Sequence, residues 1–203
     1  MQEREMGRLM DAARAWSALY DTQYELLLGR KGNWTELLKL EFLPEHFPHL
    51  AGIQYAADVD FGCSKAELRG KKWIGKILNG KIDDGLIEKS CRWTDTIAGR
   101  LDGILALEDT LDSDFTICRF DPAKVPHGTK IQAQYVIKNQ ATDMTFFVFL
   151  DQNTGKWFCR SVFRLHIADY TVNQTHVTVL IKRKLRQQSL IWEQINPHYR
   201  VAP

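Results

Sequence analysis

The segment Phe47-Pro48-His49-Leu50-Ala51-Gly52 sets a histidine just behind Pro44, a residue that can open a helical turn. Near a helix start the exposed N–H groups and their partial positive charge favour the neutral imidazole, and so a proton acceptor. The same ring can instead fill a packing gap beside Leu50 and Gly52. His46 and His49, three apart, can share a metal, but no third ligand stands at a sensible spacing and no cofactor is implied. In Phe158-Cys159-Arg160-Ser161-Val162-Phe163, strand alternation puts Phe158, Val162 and Arg164 on the side of Arg160, and Cys159, Ser161 and Phe163 on the other. A guanidinium on such a mixed face can fork onto a phosphate and offset charge developing in phosphoryl transfer, or it can form a surface ion pair. Further on, His176, Thr178, Leu180, Lys182 and Lys184 alternate with Val177, Val179, Ile181 and Arg183, so two lysines emerge beside a histidine. Tyr170 and the region of Trp192 and His198 can stack bases or cover core edges.

Other chemistries lack their spacing. There is no G-x-x-x-x-G-K-[ST], no G-x-G-x-x-G after a strand, no G-x-S-x-G and no H-E-x-x-H. Cys63, Cys91, Cys118 and Cys159 form no C-x-x-C pair, which argues against a zinc ribbon and for reduced thiols in a cytoplasmic chain. The net charge of +2 conceals an asymmetry: 15 Lys and Arg against 19 Asp and Glu through Asp112, then 12 against 6. The second half therefore offers the surface for an anionic partner, with Lys182-Arg183-Lys184-Leu185-Arg186 its densest stretch. The longest apolar run, Met144 to Leu150, is far short of a membrane span, and Met1 to Glu5 offers no apolar stretch for a secretory signal.

Periodicity gives the elements that must hold these residues. Met6 to Tyr20 reads as a helix, and Thr22 to Leu28 with Trp34 to Phe42 as a hairpin around a loop containing Gly29 and Gly32. A short helix from Glu45 to Leu50 carries both His46 and His49, with His46 exposed. Ser64 and Glu67 match a capping box for a helix ending at Asn79-Gly80, and another helix spans Thr94 to Leu111. Beyond Ser113 the period becomes two. Phe115 to Phe120, the stripe Ile131, Ala133, Tyr135 and Ile137, Phe146 to Leu150, Trp157 to Leu165 and Val177 to Lys184 read as strands, with a hairpin turn over Asp151 to Gly155.

These elements, in this order, make the chain resemble the phage-type barnase, EndoU, colicin and RelE-like (BECR) nuclease family, fourth subtype. The resemblance runs from about Tyr20 to Lys184. It rests on the hairpin, Phe47 to Ile53, Asn79-Gly80-Lys81-Ile82, Arg100-Leu101, Arg160-Ser161-Val162-Phe163, Tyr170 and Val179-Leu180-Ile181-Lys182. It implies an α+β fold in which N-terminal helices and a β-hairpin pack on a four- to five-stranded antiparallel sheet. Residues 1–20 form an N-terminal helix, 21–186 the nuclease domain and 187–203 a tail. The resemblance also implies metal-independent RNA cleavage, in a phage or mobile-element setting, by a toxin that meets a cognate inhibitor protein. No membrane partner is expected, and the oligomeric state is left open.

For a cleavage in which a ribose 2′-hydroxyl attacks the neighbouring phosphate, His49 is cast as base or acid. Arg160 and Lys182 become phosphate clamps, and Ser161 and Tyr170 positioning donors. Lys138, Arg164, His176 and Lys184 are the substrate-binding candidates. The alternative is a catalytically silent module that grips RNA or a protein through its basic sheet. Catalysis requires His49, Arg160 and Lys182 to converge on one concave surface, and binding alone does not.

Overall fold

The protein is described from a computed structural model covering residues 7–30, 34–62, 72–141, 144–165 and 168–199, with the side chains of residues 140 and 141 set aside. Helix α1 (Arg8–Ala18) buries Leu9, Ala12, Ala13 and Trp16, an apolar stripe at helical spacing. Strands β1 (Thr22–Arg30) and β2 (Trp34–Glu41) form the predicted hairpin, from Gln23 opposite Glu41 to Arg30 opposite Trp34. Gly29 lies within β1 instead of the loop, and Gly32 is outside the described residues. A 3-10 turn over Pro44–His46 leads into α2 (Phe47–Leu50). Helix α3 (Lys72–Leu78) stops where predicted. Gly80, at φ +67°, lets its N–H reach Ile77 O at 2.8 Å and that of Lys81 reach Lys76 O at 2.9 Å. The Ser64–Glu67 box lies outside the described residues. After α4 (Asp84–Ile87), the single helix expected from Thr94 to Leu111 is instead a π-turn, α5 (Ala98–Leu105) and α6 (Leu107–Asp112), parted at Ala106.

Six more strands follow: β3 (Thr116–Arg119), β4 (Tyr135–Ala141), β5 (Met144–Asn153), β6 (Lys156–Arg164), β7 (Thr175–Arg186) and β8 (Ser189–Ile195). The sheet order is β1-β2-β6-β5-β4-β3-β7-β8, and β1 also pairs with β7. The expected four- to five-stranded antiparallel sheet is thereby overturned. Seven strands close into a barrel, β8 adds an eighth outside the ring, and β2 meets β6 in parallel at Leu40 and Trp157. The hairpin is not a layer packed on the sheet, because β1 and β2 are two of the barrel's strands. Alternating side chains show that a segment can be a strand, but closure depends on which edges find each other, and it removes edges that would otherwise stay open. Strand β8 escaped prediction because its turn from β7 uses Gln187 and Gln188 at φ 49° and 64°, where Asn-Gly would be the recognisable sequence.

The inner strand faces and the helices share one core, with Leu26, Leu38, Ile137 and Val148 beside Trp16, Leu101 and Leu111. A second cluster lies on the outer face of β3 to β6, where Phe147 and Phe149 are covered by Ile131, Ala133 and Tyr170. Strand β5 is therefore buried on both faces, which explains its unbroken apolar run. The stripe from Ile131 to Ile137 splits: Ile131 and Ala133 precede β4 and pack outside, while Tyr135 and Ile137 face the main core.

The side assignment along β6 also needs correction. Phe149 stands opposite Ser161 and Leu150 opposite Cys159, so Arg160 is the extra residue of a β-bulge. Past it the alternation inverts. Val162 turns inward opposite Val148, and Ser161 and Phe163 share the outer face with Phe149 and Phe147.

Helix α5 reaches β6 because Gly103 has no side chain. A Cβ there would lie 2.9 Å from the Phe163 backbone nitrogen and from Val162 Cγ2. Gly103→Ala is therefore expected to lower unfolding free energy by about 1–3 kcal/mol, as overpacking does, despite alanine's better helix propensity. Denaturant unfolding measures it, and a stabilised variant would refute the close approach.

Candidate active site

Strand β2 pairs with β6 only at Leu40 and Trp157, and α2 and α5 pack against β6 beyond that bridge. Three elements therefore meet at one place. Helix α2 brings His49, α5 brings Arg100, and the bulge brings Arg160 and Ser161.

Arg100 is at the centre. Its Nη1 donates to Ser161 Oγ at 3.2 Å and to Leu50 O at 3.5 Å. Its guanidinium lies 5.1 Å from the Tyr55 ring centroid and 5.7 Å from that of Phe163. Burial pulls its pKa down, opposed by Tyr55 and Tyr170. Among the described residues no carboxylate pairs with Arg100, Arg160 or Arg164. A partly desolvated guanidinium without a counter-ion is costly, and an anionic ligand would offset the cost. Gly52 gives this side chain its path: at φ +78° it turns the chain, and a Cβ there would come 2.7 Å from Arg100 Cδ.

His49 is exposed, yet its pKa is lowered, first by desolvation and then by the charges of Arg100 and Arg160. The expected direction holds and the expected cause does not, since His49 sits in the last turn of a four-residue helix. The Arg160 backbone opposes that lowering, and a neutral imidazole keeps one ring nitrogen as an acceptor. His46, expected to be exposed, is half-buried; its ring lies 4.9 Å from that of Phe158 and its buried Nδ1 has no hydrogen-bond partner among the described residues.

A cleft of about 510 Å³ opens beside Arg100, lined also by Phe163, Arg164, Tyr170 and Ile131 and by the carboxylates Asp95 and Asp102; His49, Arg160 and Ser161 adjoin Arg100 outside its lining. That volume is within the range of small-ligand sites. Tyr170 packs edge-on against Phe147, Phe149 and Phe163, and burial raises its pKa, so its hydroxyl is a donor at neutral pH. Arg164 is exposed at the end of β6, with Met144 Sδ 3.7 Å from its Nη1. The structure thus brings Ser161 against Arg100 and His49 within electrostatic reach of Arg100 and Arg160, while Tyr170 and Arg164 line the cleft with Arg100.

It does not bring the lysines there, so the expected convergence of His49, Arg160 and Lys182 is not met, and Arg100 is the cation found beside His49 and Arg160 instead. Lys138 pairs with Asp169, next to Tyr170, and His176 Nδ1 lies 3.6 Å from Cys118 Sγ on the same outer face. Lys182 and Lys184 point inward and are 3% and 6% exposed. Lys182 Nζ donates to the carbonyls of Asp112 and Ser113, and Lys184 Nζ joins Glu108 at 2.8 Å and Asp112 at 2.6 Å. Both tie β7 to the end of α6. Lys184→Ala would leave Asp112 without its cation and Glu108 with only Arg186 at 3.4 Å, so its melting temperature is expected to fall by several degrees while the folded fraction keeps its activity. An unchanged melting temperature would contradict that anchoring role.

Arg100 and Tyr55 were not among the sequence candidates. A signal existed: Gly99 and Gly103 stand in the same short helix, where glycine is unfavourable and marks a close approach.

A family model described as phage-Barnase-EndoU-ColicinE5/D-RelE like nuclease4 matches residues 8–196. No curated protein and no solved structure gives a match.

Proposed function

Because the chain belongs to the phage-Barnase-EndoU-ColicinE5/D-RelE like nuclease4 family, we propose that it is an endoribonuclease that uses an RNA's own 2′-hydroxyl as nucleophile. The observation that carries this reading is Arg100 and Arg160, without an ion-paired carboxylate among the described residues, beside a histidine whose pKa is lowered. His49 accepts the 2′-hydroxyl proton on the unprotonated nitrogen of its neutral ring, and the oxygen attacks the adjacent phosphorus. Arg100 and Arg160 hold the negative charge of the five-coordinate phosphorane, with hydroxyls of Ser161 and Tyr170 fixing the phosphate. The 5′-oxygen leaves and takes a proton from solvent at the open cleft. Lys138 and His176 lie along the outer face and Arg164 lines the cleft at the end of β6, where flanking phosphates can run. Such an enzyme acts in the cytoplasm as a phage or mobile-element toxin, restrained by an inhibitor protein. Among the described residues no helix is long and apolar enough to cross a membrane.

The test is incubation of the purified chain with mixed RNAs in excess chelator, followed by identification of the new ends. Cleavage is expected to persist and to leave 2′,3′-cyclic phosphate and 5′-hydroxyl termini. Activity that vanishes with chelator and returns with magnesium would overturn the mechanism. Binding that weakens with salt, without cleavage, would favour the silent RNA-binding module.

A further inference from the structure

Strands β2, β1, β7 and β8 present an outer face whose cross-strand rows are ordered by charge and hydropathy. One row runs Lys39, Glu25, Arg183 and Glu193, each opposite the next in the register. Its neighbours are ion-paired, Lys39 with Glu25 at 3.1 Å, Arg183 with Glu25 at 3.6 Å, and Arg183 with Glu193. The adjacent row runs Leu37, Leu27, Ile181 and Ile195. Leu37 and Ile195, at its two ends, are 45% and 48% exposed. Leu180 extends the apolar surface over Gly29, whose absent Cβ would lie 2.6 Å from Leu180 Cδ1. An apolar row open to water across four strands is the kind of patch that marks an interface.

We propose that this face is a homodimer interface in which two copies pack sheet on sheet about a two-fold axis parallel to the strands, midway between β1 and β7. Such an axis keeps every row at its own height and reverses its order. The apolar row then meets its own reverse, Leu37 against Ile195 and Leu27 against Ile181. The charged row alternates in sign and has an even number of members, so reversal sets Lys39 against Glu193 and Glu25 against Arg183. Every contact is between opposite charges. A row reading plus, minus, minus, plus would oppose like charges under the same operation, so the sequence of signs is what makes a second copy the fitting occupant. Aligned sheets of this kind cross at about 30°, as their twist requires. The arrangement leaves the cleft beside Arg100 outside the interface.

Sedimentation of the full chain over a concentration series tests the proposal. The unaltered chain is expected to show a reversible monomer–dimer equilibrium. Leu37→Asp, Lys39→Glu and Glu193→Lys are each expected to raise the dimer dissociation constant by at least about tenfold with little change in melting temperature. Mixing the Lys39→Glu chain with the Glu193→Lys chain is expected to restore dimer, because each altered residue then meets its opposite across the axis. A chain that stays monomeric throughout overturns the proposal. So does a dimer insensitive to all three substitutions, or a mixture no tighter than its components.

Discussion

Arg100→Met is expected to abolish most RNA cleavage while leaving the melting temperature unchanged or higher. The guanidinium is partly desolvated, donates to Ser161 Oγ and Leu50 O, and has no carboxylate partner among the described residues. In the free protein that arrangement costs stability, and methionine fills similar space without a charge to desolvate. In the transition state of the proposed reaction the balance is expected to reverse, because a phosphorane would supply the missing anion. Loss of one such preorganised donor costs about a hundred- to a thousandfold in rate. Arg100→Lys keeps the charge but loses the planar fork, so it is expected to recover only part of the activity. Cleavage rate and thermal unfolding on the same preparations separate the cases. An Arg100→Met protein that cleaves within about threefold of the unaltered chain would remove this residue from the chemistry.

His49→Ala is expected to slow cleavage by at least about a hundredfold, the lower range for general acid–base catalysis, with a small effect on stability since the side chain is exposed. The pH dependence gives an independent readout. The His49 pKa is lowered, so the neutral base persists below the usual histidine value near 6.5, and kcat/KM should be on its plateau by pH 7. As pH falls the unfolded chain takes up the proton first. The stability linked to this group is therefore present above pH 6.5 and is lost as pH drops through 6.5 toward the folded value. Arg160→Ala removes one of the charges that lower this pKa, and should move the acid limb of the rate profile to higher pH. A destabilised but fully active His49→Ala protein would sink the assignment.

These predictions draw unequally on the primary structure. Helix α1, the β1–β2 hairpin, the stop of α3 at Gly80 and the strand character of the second half follow from local periodicity and turn chemistry, so they are legible one segment at a time. His49, Arg160, Ser161 and Tyr170 were legible as residue types suited to phosphate chemistry, and so was the order of motifs that marks the family.

What alternation could not reveal was where it breaks. The bulge at Arg160 reverses the faces of everything after it in β6, along an edge where α2 and α5 pack and β2 pairs only at Trp157. The basic last strand illustrates the same limit. Lys182 and Lys184 look like a solvent-facing phosphate clamp beside His176 until a bulge at Leu180 breaks the alternation, leaving His176 outside and both lysines inward, where the carbonyls and carboxylates at α6 capture their ammonium groups. Arg100 makes the opposite journey, from a helix residue beside an apolar stripe to the centre of the candidate site. A sequence fixes which groups a segment can offer and on what period, because those are properties of neighbours along the chain. Which of those groups keep a counter-ion and which are left to meet a ligand depends on contacts between residues such as Arg100 and Ser161, 61 positions apart, and only the closed tertiary structure decides them.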